Sequence, residues 1–103
     1  MKEQKVESTP GAPKVVADRL AVVYDRASGN IVHFHRVTTL QGGKTRSDEE
    51  VVTAALEHAS KTNSAFDRSR VNVLIVAPHA IKPGHTHRVD TKKLVLHAEP
   101  RTE

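Results

Sequence analysis

The sequence predicts an α+β domain in which one helix packs on a four-stranded, mostly antiparallel sheet, in the order β-β-α-β-β. Residues 19–40 hold two strand-like runs joined by a short loop that ends in glycine. A helix-start motif near residue 47 precedes a stripe of apolar residues at helical spacing. Two further strand-like runs occupy residues 71–77 and 85–98. With a single helix available to cover the sheet, this order favours a two-layer sandwich.

The first two strands read as a β-hairpin, "RLAVVYD" (19–25) and "NIVHFHRVTTL" (30–40), connected by residues 26–29. Such a loop needs a left-handed residue at its end, and Gly29 adopts that conformation without steric penalty. Asp25 can accept backbone N–H bonds where the loop begins. If Asp25 also pairs with Asn30, three pairs share one face of the hairpin. These pairs are Tyr24 with Ile31, Val22 with His33, and Leu20 with His35.

The central segment carries a specific helix-start signal. Ser47 is followed three residues later by Glu50, which is the spacing of a capping box. Asp48 and Glu49 place further negative charge at the helix N-terminus, where it is favourable. The helix is therefore predicted from this motif to about Lys61, with an apolar stripe formed by Val51, Val52, Ala55, Leu56 and Ala59.

The last third of the chain is predicted to complete the sheet. "VNVLIVA" (71–77) shows little alternation, which suits a central strand covered on both faces. Residues 85–98 form one strand, or two short strands broken near Asp90 and Thr91. The sheet face away from the helix then lacks a cover. Either the segment around Val15 and Val16 covers it or a second subunit does, and we expect a homodimer formed through the sheet.

Composition limits the setting and the chemistry. Residues 1–14 are predicted to be a disordered leader, residues 15–98 a single domain and residues 99–103 a frayed tail. The absence of cysteine excludes disulfides and zinc–thiolate sites. No apolar run approaches the ~18 residues of a membrane span, and the N-terminus lacks the apolar core of a secretory signal. We therefore expect a cytoplasmic protein without a membrane partner.

Seven histidines include two His-x-His pairs, in "IVHFHRV" and "PGHTHRV". Side chains two residues apart on a strand point the same way, so each pair can offer two imidazoles to one ion. If the last strand lies near the second, His33, His35, His85 and His87 form a site for a divalent metal such as zinc. The alternative is that these histidines pack at the edge of the core or lie at the surface.

The motif "HFH" resembles the His-hydrophobic-His pattern of single-strand nucleases that use a tyrosine nucleophile. Those enzymes need a tyrosine on a helix that faces the metal. The single tyrosine here, Tyr24, is predicted on a strand instead. A metal-dependent hydrolase or nuclease therefore stays an alternative to a domain without catalysis.

The net charge is +4, with basic residues concentrated in the strand-like parts and acidic residues in the predicted helix. Phosphate contacts from a basic sheet would bind nucleic acid in a salt-sensitive way. The candidate residues are Arg19, Arg36, Arg88, Lys92 and Lys93. Only three aromatic residues are present, which disfavours base stacking. The function predicted first is a small non-catalytic binding domain, with a protein partner, metal binding and polyanion binding as the classes to distinguish.

Overall fold

The computed structural model describes residues 14–101 of the 103-residue chain. The predicted leader, apart from Lys14, and the last two residues of the predicted tail lie outside the described residues. The elements are β1 (Val15–Asp25), β2 (Ile31–Leu40), α1 (Asp48–Thr62), β3 (Val71–Val76), β4 (His85–Asp90) and β5 (Val95–Pro100). Short 3-10 turns at Arg68–Arg70 and Pro78–Ala80 flank β3.

The α+β class is confirmed, but the single four-stranded sheet is wrong. Three strands form one antiparallel sheet in the order β2-β1-β3, and β4 and β5 pair only with each other in a separate antiparallel hairpin. The reason lies in residues 85–98, which are two strands joined by a turn at residues 91–94. Their strand pairing is confined to that hairpin, so they do not extend the main sheet.

The helix covers one face of the three-stranded sheet. Its capping box is present: the Ser47 side chain accepts the Glu50 N–H, and the Glu50 carboxylate accepts the Ser47 N–H. The buried side of α1 is formed by Val51, Ala55 and Ala59, which pack in a cluster with Ala21 and Val23 of β1 and Val71 of β3. Within residues 14–101, no helix is both long enough and apolar enough to cross a membrane.

The opposite face of the sheet is covered by the β4–β5 hairpin. Leu20, Val22 and Tyr24 of β1 form a second buried cluster with Val89 of β4. The chain therefore folds into three layers, with the sheet between the helix and the hairpin. The uncovered apolar face that led us to expect a homodimer is filled here by the same chain. The central strand is β1 rather than β3, and residues 20–24 of β1 are all buried.

The register of the first hairpin agrees with the prediction only next to the loop. The Asp25 N–H donates to the Asn30 carbonyl at 2.8 Å, and Tyr24 lies opposite Ile31. Beyond them the register shifts, so that Val23 lies opposite His33 and the expected pairing of Val22 with His33 is wrong. The cause is a bulge at Val32, which puts two residues of β2 opposite one of β1 and moves the following side chains to the other face.

This shift also corrects the pairing expected for the second histidine of the motif. His35 lies opposite Ala21 rather than Leu20, which pairs with Arg36 instead. Ala21 and Val23 belong to the cluster under the helix. Both histidines of β2 therefore face the helix, whereas Tyr24 faces the β4–β5 hairpin.

The two hairpins use the same turn chemistry. The Asp25 carboxylate accepts the N–H groups of Ala27 and Ser28 at 2.9 Å, and the Asp90 carboxylate accepts those of Lys92 and Lys93 at 3.0 Å. These bonds hold the pKa of both carboxyl groups below their usual range. Each turn ends in a left-handed residue, Gly29 with φ 82° and Leu94 with φ 57°. The position predicted for Gly29 is confirmed.

Gly29 also joins the two sheets. Its carbonyl accepts the Val89 N–H at 2.9 Å, which fixes β4 against the turn between β1 and β2. A Cβ at residue 29 would lie 2.1 Å from the Val89 carbonyl oxygen. Only glycine therefore permits both the turn conformation and this close backbone approach.

We predict that Gly29→Ala lowers the free energy of unfolding by about 2 kcal/mol or more, from the left-handed conformation and the contact with Val89. Leu94→Gly, at the equivalent position of the other turn, should raise it by about 0.5 kcal/mol, because relief of the left-handed strain outweighs the entropy cost of glycine. Urea unfolding of wild type and both variants measures these changes in the free energy of unfolding. Equal losses in the two variants would contradict this assignment.

Candidate functional site

One end of the β1–β2 ribbon has no third strand. β3 pairs with β1 only from Leu20 to Asp25, so Val15 and residues 17–19 pair with a strand on the β2 side alone, and Val16 lies at an irregularity in the register. We call these residues, with residues 37–40 of β2, the open ribbon end. Val15, Val16 and Leu40 expose large apolar side chains there. A strand segment with a free edge and exposed apolar side chains is suited to pairing with another chain.

Charged side chains at the open ribbon end are paired within the chain. The Arg36 guanidinium donates two hydrogen bonds to the Asp18 carboxylate, and they hold the pKa of Asp18 below its usual range. The Arg19 guanidinium donates to Asp48 at 2.6 Å, at the N-terminus of α1. Two of the arginines proposed for nucleic acid are thus held in ion pairs with acids of their own chain.

The remaining basic candidates lie together on the β4–β5 hairpin. Arg88 of β4 and Lys92 and Lys93 of the following turn are exposed. Among the ion pairs formed by residues 14–101, none includes these three side chains. Arg88 and Lys92 line a shallow depression with His97 and the carboxylates of Asp90 and Glu99. The structure therefore divides the five predicted residues into an ion-paired group and a hairpin group.

Histidines of β2 and α1 meet between the sheet and the helix. The rings of His35 and His58 lie with their centroids 4.6 Å apart and their planes tilted by 34°. His33 is two residues away on the same face of β2. Partial burial, followed by the charge that His58 would carry, lowers the pKa of both His33 and His35. This shift in pKa favours the neutral form of both rings, which has a lone pair to donate.

The histidines of β4 have structural hydrogen bonds. Nε2 of His87 accepts the Lys82 N–H at 3.0 Å. Nδ1 of His85 lies 2.9 Å from the Pro83 carbonyl oxygen, so that this nitrogen carries the proton and donates. Both contacts shape the loop that leads from β3 into β4. The Nε2 lone pair of His87 is therefore used inside the fold.

The four histidines predicted as one metal site are brought together only in part. His33 lines an open depression at the edge of β2 with His85 and His87 of the hairpin, whereas His35 lies under the helix beside His58. Within residues 14–101, no group of three or more histidine, aspartate or glutamate side chains is arranged to hold a metal ion. The residue that sequence reasoning missed is His58, because a lone histidine on a predicted helix carries no spacing signal.

The hydrogen bond from Lys82 to His87 predicts unequal roles for two histidines. His87→Ala should lower the free energy of unfolding by about 1 kcal/mol, because the Lys82 N–H loses its acceptor. His97→Ala, at an exposed position of β5, should change it by less than about 0.5 kcal/mol. Urea unfolding measures both. A loss in His97→Ala as large as that in His87→Ala would contradict the structural role of His87.

Comparison with protein-family models, with curated proteins and with solved structures finds no match to this chain. Three features of the described residues can carry a function. They are the open ribbon end, the basic side chains of the β4–β5 hairpin and the histidines between β2 and α1.

Proposed function

We propose that this chain is a non-catalytic interaction domain that binds a second copy of itself through the free edge of residues 15–19. The observation that carries the proposal is that this segment pairs with a strand on one side only and also leaves Val15 and Val16 more than half exposed. Backbone N–H and C=O groups on a free strand edge form bonds with another strand at little conformational cost. Antiparallel pairing about a two-fold axis would place the segment against its own copy and satisfy both edges together.

Charge and apolar exposure support a second copy as the partner. The chain carries a net charge of +4, so two copies repel each other overall. At the open ribbon end, however, Asp18 and Arg19 are each neutralised by a partner within the chain. The neighbouring Val15 and Val16 are more than half exposed. Two such edges can meet without like-charge contact while they bury these valines.

The length of the segment sets the expected affinity. Stable interfaces bury roughly 1,200–2,000 Å² in total, which is more than a strand pair of this length with a few flanking side chains provides. We therefore expect weak association, with a dissociation constant of about 10 μM or above. The proposed contact is a strand edge. It is therefore not the dimer through an uncovered sheet face that the sequence led us to expect, because the β4–β5 hairpin covers that face.

A charge placed on the free edge tests the proposal. Val16→Lys should abolish concentration-dependent dimerisation, because a lysine on a strand edge opposes pairing with another strand. Val95→Lys is the matched control, since Val95 is exposed to 49% against 58% for Val16 but lies on the hairpin. Sedimentation equilibrium across a range of concentrations measures the dissociation constant of each protein.

Wild type and Val95→Lys should dimerise with similar dissociation constants, and Val16→Lys should be monomeric throughout. A wild-type chain that stays monomeric up to about 1 mM would overturn the proposal, because that is the weak limit of specific association. Equal dimerisation of Val16→Lys and wild type would overturn the assigned surface.

Polyanion binding by the β4–β5 hairpin is the second candidate function. The observation in its favour is the grouping of Arg88, Lys92 and Lys93 on the layer opposite the acidic helix. Phosphate contacts from these side chains would release counterions, so that binding weakens as salt rises. The nearby Asp90 and Glu99 reduce the local positive charge, which makes us expect weak binding.

The double variant Lys92→Gln with Lys93→Gln should lower the affinity for a short DNA duplex. The slope of log affinity against log salt concentration should become shallower by the amount expected for the loss of about two phosphate contacts. Lys61→Gln removes the same kind of charge from the C-terminal turn of α1 and serves as the control. Fluorescence anisotropy at low salt measures both. If the control loses as much affinity as the double variant, the hairpin is not the binding surface.

A further inference from the structure

The histidines between β2 and α1 occupy a position open to solvent at an edge of the main sheet. β2 is an edge strand, and His58 projects from an exposed position of α1. His33 and His35 are half-buried beside it. A solute can therefore reach rings that belong to two separate elements, and anything that binds both rings links the helix to the sheet.

The separation of the two nearest rings matches shared coordination. With metal–nitrogen bonds of ~2.0–2.1 Å and N–metal–N angles of about 90–110°, two imidazole centroids lie about 4.5–5.2 Å apart. The centroids of His35 and His58 are 4.6 Å apart. Rotations of the side chains would direct one nitrogen of each ring at a common ion, and water would complete the coordination.

Partial burial, followed by the neighbouring His58, lowers the pKa of His33 and His35, which favours their neutral form. A neutral imidazole is the form that binds a metal. Nitrogen ligands suit copper, nickel and zinc ions better than calcium or magnesium.

We propose that His35 and His58 bind a divalent transition metal ion of the copper, nickel and zinc class, with water completing its coordination. The site differs from the four-histidine site predicted from the sequence, since it uses the helix and omits β4. It is also independent of the proposed dimerisation, because none of its ligands belongs to residues 15–19. With only two ligands in place, binding is weaker than at a closed zinc site with four protein ligands.

The test is thermal unfolding of the untagged full chain at neutral pH, first with EDTA and then with an excess of Zn²⁺, Ni²⁺ or Cu²⁺. A metal that binds only the folded chain raises Tm, and we expect a rise of about 5 °C or more with at least one of the three. His58→Gln should lose the rise in Tm, because it removes one of the two ligands. Glutamine is a good helix former, so the exposed position in α1 should tolerate it. His97→Gln is the matched control and should keep the rise.

A second measurement covers the case in which His58→Gln fails to fold. In the wild-type chain, substoichiometric Cu²⁺ should broaden the ring proton resonances of His35 and His58 before those of His97 and His87. No rise in Tm with any of the three ions would overturn the proposal. A rise in His58→Gln equal to that in wild type would also overturn it, and the two rings would then be a packing contact only.

Discussion

The fold depends on the burial of both faces of β1. Residues 20–24 of this strand are all buried, and successive side chains of a strand point to opposite faces. One covering layer cannot bury them all. The helix covers Ala21 and Val23, and the β4–β5 hairpin covers Leu20, Val22 and Tyr24. Each cover needs its own docking point: α1 docks through its small apolar stripe, and β4 docks through Val89 and the backbone bond to Gly29.

This arrangement places each candidate function on a separate part of the molecule. β3 is shorter than β1, which leaves residues 15–19 with a free edge. The layer that covers Val22 carries the exposed Arg88 and Lys92, while the layer that covers Val23 carries His58. The bulge at Val32 decides which layer the histidines of β2 meet. Strand pairing, polyanion contact and metal binding can therefore be tested by substitutions that do not share a side chain.

Local features of the sequence predicted much of this structure. The capping box at Ser47, the turn closed by Asp25 and Gly29, and the helix stripe all depend on residues close together in the chain. Three features depended on long-range contacts and were not predictable. A bulge at Val32 leaves no distinct mark in the alternating segment "IVHFHRV". The hairpin of β4 and β5 docks on a face instead of joining an edge. The contact of His35 with His58 depends on the bulge, which sets the face of β2 on which His35 lies, and on the packing of α1 over that face.

Nuclear Overhauser contacts between side-chain protons show which neighbours pack on each face of β1. We expect contacts from the Val89 methyl groups to the cluster that contains Val22 and Tyr24, and from the Val51 methyl groups to the cluster that contains Val23. Contacts from Val89 to the Val23 cluster instead would contradict this arrangement, because the helix and the hairpin would then share one face of the sheet.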